Sequence, residues 1–421
     1  MAELCIRNAR RLDGGVVDVA IEAGLIVEIG ADLQRTADKE FDAETGLILP
    51  GFVNAHLHVD KALTVGENTR WEVGTFQESI DLTLDNRASY THDDLVRRGS
   101  TVIEESVRFG CTTMRAFADV GTVGGLAGTK ALLELREAYR DLIDIQVCAF
   151  PQEGIIRDLG AEELLIEAME LGCDVLGGFP WFEYTPVHEQ RHIDKIMHIA
   201  KHFDVDVHMF VDDDPVAPQS RGLEMLAVAT IDNGWQGRVT VSHACALASY
   251  DDHLAGRVCR LVADAGISVV SNPQISLVSK CQNAPEPRPR GITRVKELMA
   301  NGVNVAVAQD DIADPYYPFG RGDLLEVASI IAHVAQLYRP EDTPTVLSMV
   351  TTNAAKAVGL DAWGVEHGAP ADLQVYPPDA GTTATELLRL QSPRRWVFKA
   401  GVLVASTSIT SDVHRVAPIT P

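Results

Sequence analysis

The chain has 421 residues, is 46% hydrophobic and carries a formal net charge of −24. That length suits an α/β barrel of about 250 residues plus a smaller unit, with enough apolar content for a sizeable core. The charge excludes nucleic acid as a partner, because no basic stripe exists to displace its counterions. No apolar run reaches the ~18 residues of a membrane span.

The opening Met1-Ala-Glu-Leu-Cys-Ile-Arg7 has no basic segment leading into an apolar one, so no signal peptide is expected. Residues 1–50 then read as short β-rich runs separated by Gly turns: Leu4–Arg7, Val16–Ile21 and Leu25–Gly30. The centre changes rhythm. Eight apolar or β-branched runs recur: Ile48–His58, Thr112–Val120, Asp144–Gln152, Asp174–Phe182, Asp204–Val211, Arg238–Ala244, Gly266–Gln274 and Val303–Asp311. Between them lie amphipathic stretches: His92–Phe109, Gly128–Tyr139, Ala161–Leu171, His188–His202, Gly222–Asn233, His253–Ala265 and Thr293–Asn301. Gly closes several of these, as after Phe109 and Asn301. Eight strand–helix alternations predict an α/β fold, a (β/α)8 TIM-type barrel. The C-terminal stretch returns to the opening style in Ala371–Tyr376 and Trp396–Ala405, with a hairpin turn at Lys399-Ala-Gly401. The two chain ends are therefore expected to pair into a small β-sandwich. The division is residues 1–50 and 365–421 for that domain, and 51–364 for a metal-dependent barrel.

The polar residues fall at the predicted strand ends: His56 and His58, Asp119, Gln152, Glu183, His208, His243, Asn272, and Asp310 with Asp311. In such a barrel those ends converge on one mouth. His56 and His58, one residue apart on a strand, point the same way. With His208 and Asp310 they make three imidazoles and a carboxylate, a set for one divalent ion, Zn²⁺ or Fe²⁺, with Mn²⁺ a further candidate. Such an ion lowers the pKa of bound water, so hydroxide becomes available near neutrality. His243 is placed to meet that water or the developing oxyanion, and Asp310 to take and relay its proton. The other histidines (His92, His188, His192, His198, His202, His253, His333, His367, His414) read as surface or packing residues. The seven cysteines form no CxxC pair and read as buried reduced thiols in a soluble, cytoplasmic protein. A homo-oligomer is the assembly considered.

The pattern resembles the amidohydrolase superfamily, which shares this barrel, this HxH and this late-strand Asp. Phe150-Pro-Gln152-Glu-Gly154, Gly291–Leu298 and Gln309-Asp310-Asp311-Ile-Ala-Asp314-Pro-Tyr-Tyr-Pro318 look like the bacterial cytosine deaminases. His58-Val-Asp60-Lys61 looks more like the N-isopropylammelide isopropylaminohydrolases. The resemblance implies His56, His58, His208 and Asp310 as ligands of one metal and His243 as partner of the attacking water. It implies Gln152 on the ring's carbonyl and amide edge, Asp311 on the ring or its amine, and Tyr316 lining the pocket. The cytosine deaminases carry a Glu three residues after the fifth-strand His; here that position is Val211, and Asp212 or Asp213 is the candidate replacement, Asp212 the one assigned. They also carry a second-strand His where this chain has Phe117, so a more apolar pocket is expected. The implied reaction is hydrolytic removal of ammonia or a small amine from a neutral pyrimidine- or triazine-like ring. The alternative is hydrolysis of a cyclic amide or lactam at the same metal.

Lys61 has two readings: an ion pair with Asp60 or another loop carboxylate, or a substrate-orienting group that donates a proton if burial lowers its pKa. Asn272-Pro-Gln274 either touches substrate or makes a structural turn. The Pro-rich Ala284–Arg290 either closes over the mouth or packs.

Overall fold

A computed structural model describes residues 2–65, 75–282 and 284–410. The N-terminal strands β1 (Ala2–Arg10), β2 (Val16–Glu22), β3 (Leu25–Gly30) and β4 (Ala37–Asp42) form one sheet in the order β3-β2-β1-β4. Only the β1–β4 pair is parallel. Strand β5 (Ile48–Pro50) belongs to a second sheet, described below, and β6 (Phe52–Leu57) to a third. The expected single strand Ile48–His58 is thus two. They part at Gly51, where a Cβ would come within 2.2 Å of Thr112 Oγ1 and only glycine lets the chain pass.

The barrel sheet runs in chain order through β6, β7 (Cys111–Asp119), β8 (Asp144–Phe150), β9 (Val175–Gly178), β10 (Asp206–Val211), β11 (Val239–His243), β12 (Ser268–Ser271) and β13 (Val305–Val307), every pair parallel. A bridge between Leu57 and Asp310 joins the last strand's end to the first. All eight expected strands are present, and the α/β barrel is the fold. Four stop well short of their expected ends, at Phe150, Gly178, Ser271 and Val307. The first three are soon followed by a proline (Pro151, Pro180, Pro273), which has no N–H to extend the ladder. Pro180–Phe182 becomes a 3₁₀ turn, and Pro273–Ser279 becomes a short helix.

The seven expected helices all form within a few residues of their predicted bounds, from His92–Arg108 to Val295–Ala300. Thr91, Thr185 and Asp251 start three of them by accepting a backbone N–H with the side chain. Phe76–Arg87 and Leu324–Val334 were not foreseen. In the latter the polar residues Glu326, Ser329 and His333 recur at helical spacing, so its period was legible in the sequence.

The second small sheet has the order β16-β15-β14-β5, with β14 (Leu373–Val375), β15 (Trp396–Lys399) and β16 (Val402–Ser406), all pairs antiparallel. The β15–β16 hairpin turns at Ala400 and Gly401, with φ of 46° and 76°, as the two-residue turn requires. Leu4, Ile6, Val19, Ile21 and Ile26 from the first sheet share one core with Ile48, Leu373, Val375 and Phe398 from the second. The chain ends therefore make a small sandwich. Residues 411–421, including His414, lie outside the described residues.

Candidate active site

The seam that closes the barrel also builds the site. His58 N donates to Asp310 O at 2.8 Å, and Asp310 N to His56 O at 2.9 Å. This backbone pairing brings the three side chains together: His56 Nε2 is 3.0 Å and His58 Nε2 3.7 Å from Asp310 Oδ1. His243, at the end of β11, adds Nε2 at 3.6 Å from Asp310 Oδ2. All four residues are buried. Burial, with Lys61 nearby, holds the His56 and His58 imidazoles well below their ordinary pKa, so both rings are neutral. Burial pushes the Asp310 carboxyl up to about 6.

His208 enters differently. Its Nδ1 faces Arg115 Nη1 at 3.2 Å and its Nε2 faces Ser242 Oγ at 2.7 Å. A guanidinium only donates, so His208 Nδ1 accepts and Nε2 keeps the proton. Ser242 then accepts from His208 and donates to His56 Nδ1 at 2.5 Å. His56 in turn carries its proton on Nε2, against Asp310. One directed chain thus runs Arg115–His208–Ser242–His56–Asp310. Phe117 and Phe210 pack against the His56 ring, each at 4.4 Å between centroids, and against each other at 5.2 Å.

Neutral imidazoles beside a carboxylate are the donors a divalent ion of N/O preference takes. Ligand atoms of His56, His243 and Asp310 lie within 4.8 Å of one another, as do those of His58, Asp310 and Asp311. Asp310 Oδ2 is buried without a hydrogen-bond partner, which a cation at this point relieves, while His58 Nδ1 faces away, toward Asp119 at 3.8 Å. The residues fit such an ion. His208 is in none of the ligand clusters among the described residues, and its Nε2 meets Ser242.

A small cavity of about 30 Å³ opens beside this cluster. Its walls include Ile80, Phe179, Phe210, Ile275 and Tyr316, and its polar edge is Lys61, Gln152 and Asp311. Arg98 Nη1 donates to the carbonyls of Asp60 and Ala62, holding the turn that aims Lys61 inward. Lys61 Nζ donates to Gln152 Oε1 at 3.0 Å and lies 5.0 Å from the centre of the Tyr316 ring. Burial alone would lower its pKa, but Asp119, Asp311 and Asp314 outweigh that and hold it above the ordinary value. These carboxylates hold Lys61 as a cation at the cavity edge. Asp60 is occupied elsewhere, accepting from Asp119 N at 2.7 Å. Burial, then Asp310, pushes Asp311 up to about 7.

Two assignments move. Asp212 does not face the cavity: Oδ1 accepts from Gly222 N at 2.8 Å and Oδ2 from Leu223 N at 2.9 Å, at the start of helix Gly222–Asp232. Its φ of 52° turns the chain, so Asp213 points inward instead and lines the cavity. Asn272 is buried, with no hydrogen-bond partner for either amide atom, and is not among the lining residues. The Pro-rich segment stays away from the cavity, with Arg290 Nη1 donating to Val334 O. Glu183, just past the 3₁₀ turn that follows β9, accepts from Ile155 N and from His192, a structural role. Sequence reading missed Ser242. Strand alternation allows one of Ser242 and His243 to face inward, but a φ of 70° at His243 turns both toward the mouth.

The seam, the imidazole–carboxylate cluster and the cavity mark one class: residues 74–405 match the amidohydrolase family, and the chain belongs to it. It is therefore a hydrolase acting on non-peptide carbon–nitrogen bonds, of the deaminase type, in a metal-dependent family. Among individual proteins, it is 31% identical over 384 residues to N-isopropylammelide isopropyl amidohydrolase of Pseudomonas sp. strain ADP, covering 89% of this chain and 90% of that one. Pterin deaminase of Rhizobium rhizogenes is 30% identical over 391 residues, 92% of this chain and 87% of its own. The crystal structure of 5-methylcytosine deaminase from Klebsiella pneumoniae, liganded with 5-fluorocytosine, superposes with a TM-score of 0.92 at 33% identity, covering 97% of this chain and 99% of that one.

Proposed function

We propose that this protein hydrolytically removes ammonia or a small amine from a single nitrogen-rich ring of pyrimidine or triazine type. The observation that carries this reading is continuity: the His56, His58, His243 and Asp310 cluster opens directly onto a cavity with one polar edge. The proposed division assigns 1–50 and 365–421 to the sandwich domain and 51–364 to the catalytic barrel, with helix Ala384–Leu390 packed into the barrel core. The residues assigned to a divalent ion, Zn²⁺, Fe²⁺ or Mn²⁺, are His56, His58, Asp310 and, as the fourth, His208, whose Nε2 here meets Ser242. Bound there, the ion supplies a Lewis acid that makes water acidic enough to lose a proton near neutrality.

The chain's own groups do the rest. Ile80, Phe179, Phe210 and Ile275 cover an apolar ring and exclude bulk water. Lys61 and the Gln152 amide nitrogen donate to a carbonyl oxygen on the ring edge. Asp311 accepts from a ring N–H or the exocyclic amine. Asp310 Oδ2 takes the proton of the attacking water and delivers it to the leaving nitrogen. His243 accepts a hydrogen bond from the attacking water and orients it toward the ring carbon. Similarity to the ammelide amidohydrolase and the 5-methylcytosine deaminase supports a one-ring substrate.

The test is a screen of amino-substituted pyrimidines and s-triazines with protein loaded with Zn²⁺, Fe²⁺ or Mn²⁺, with free amine measured. Amine release lost in His56→Ala and Asp310→Ala is the expected result. Undiminished turnover in both variants, or a ring-opened carboxylate as the product, would sink the proposal; the second outcome marks a cyclic-amide hydrolase.

A further inference from the structure

We propose that Lys280 is a positioning residue for the reaction, acting through Asp213 on His243. The inference rests on the hydrolase reading above. Asp213 and Lys280 come from different loops at the barrel mouth, Asp213 just after β10 and Lys280 at the end of helix Pro273–Ser279. Both side chains are only 4% exposed, and Lys280 Nζ meets Asp213 Oδ2 at 2.5 Å. The other oxygen, Oδ1, stands 3.3 Å from His243 Nδ1. Cys245 Sγ, 3.9 Å from both Asp213 Oδ1 and Ser276 Oγ, fills the remaining side.

Nδ1 has no aligned hydrogen-bond partner here, but a carboxylate only accepts, so its charge beside Nδ1 favours the His243 tautomer with the proton there. That leaves Nε2 bare toward Asp310 and the cavity. A buried carboxylate facing a neutral imidazole is costly without a countercharge, and Lys280 provides it. Lys280 also fixes the carboxylate's rotamer, because a two-oxygen group held at one oxygen can turn only about that contact. His243 needs this support: its backbone sits at φ 70°, a conformation that a non-glycine residue adopts only where surrounding contacts impose it. The same pair ties helix Pro273–Ser279, which carries the cavity residue Ile275, to the loop after β10.

The test uses the full-length protein with Lys280→Met, which keeps the length and removes the charge, and Lys280→Arg, which keeps the charge. In metal-free protein, the His243 ¹⁵N signals (identified by their loss in His243→Gln) are expected to show the Nδ1–H tautomer in the parent and in Lys280→Arg. In Lys280→Met that preference is expected to be lost. With a substrate from the screen, Lys280→Met is expected to lower kcat about 10- to 100-fold, with KM and metal content unchanged, and Lys280→Arg to restore most of it. Parent-like ¹⁵N signals and kcat in Lys280→Met would overturn the proposal. So would equal losses in both variants tracking a fall in melting temperature, which indicate a purely structural ion pair. If no substrate turns over in the parent protein, the functional reading fails while the ¹⁵N arm still decides the role of Lys280.

Discussion

Arg115 Nη1 donates to His208 Nδ1 at 3.2 Å, and a guanidinium has no lone pair with which to receive a proton in return. That one-way contact sets the direction of every hydrogen bond down to Asp310. Ser242 is the middle link, 2.7 Å from His208 and 2.5 Å from His56. Ser242→Ala is expected to leave the barrel folded but weaken metal affinity about 10- to 100-fold, since His56 loses the partner that orients its ring. Competition with a chelator measures this, and unchanged affinity would show that the link does not matter.

Metal uptake is expected to release protons. The neutral His56 ring only moves its proton from Nε2 to Nδ1 on ligating, but burial pushes the Asp310 carboxyl up to about 6, so its protonated fraction must ionise to ligate. Calorimetry in two buffers of different ionisation enthalpy reads the release. At a metal concentration 100 times Kd, binding stabilises the native state by about 2.7 kcal/mol, visible as a higher melting temperature. His56→Ala should lose both effects.

Asp212→Ala separates structure from chemistry. Losing the two N–H contacts at the head of Gly222–Asp232 is expected to cost about 1–2 kcal/mol in urea denaturation, with kcat near that of the parent. A large fall in kcat at unchanged stability would return Asp212 to the reacting groups.

What the sequence made legible, and what it hid, divides along these same residues. The barrel and its strand-end residues follow from periodicity, which a linear pattern carries in full. The meeting of His56, His58 and Asp310 follows from the seam between first and last strands. Asp212 was misjudged because a single left-handed residue exchanges the directions of two neighbouring carboxylates, and no periodicity reports φ. Ser242, Arg115 and Lys280 were not read as parts of the site because their roles are contacts with other side chains. A serine beside a histidine in a buried strand looks the same with or without such a contact.

His192 gives a pH dependence away from the metal cluster. Burial holds its imidazole below the ordinary 6.5, although its contact with Glu183 works the other way. The unfolded chain therefore binds the proton first, and stability rises with pH through that window. It is fully present above about pH 7 and is lost as pH falls below 6.5 toward the native pKa. Melting curves of the parent and His192→Asn between about pH 7.5 and 5.5 should converge toward the acid end. A constant gap would remove His192 as the cause.

Thiol reactivity should report the packing. Cys5, Cys111, Cys148, Cys173, Cys245 and Cys259 are buried, and burial pushes Cys5 up to about 11 and Cys111 and Cys173 up to about 12. Only Cys281 is partly accessible. Titration with a chromogenic disulfide should give one fast equivalent in native protein and the remainder on denaturation. Several fast equivalents would contradict the described core.

The joint between first and last strands bears on how such a protein changes its diet. The spacing of the would-be ligands is dictated by main-chain register, Leu57 opposite Asp310, and not by any surface loop. Lys61, Gln152, Ile80 and Ile275, by contrast, sit on connecting segments beyond the strands. Mutation can therefore redraw the outline of the accepted ring again and again while the ion's seat, welded into the hull of the cylinder, is inherited untouched.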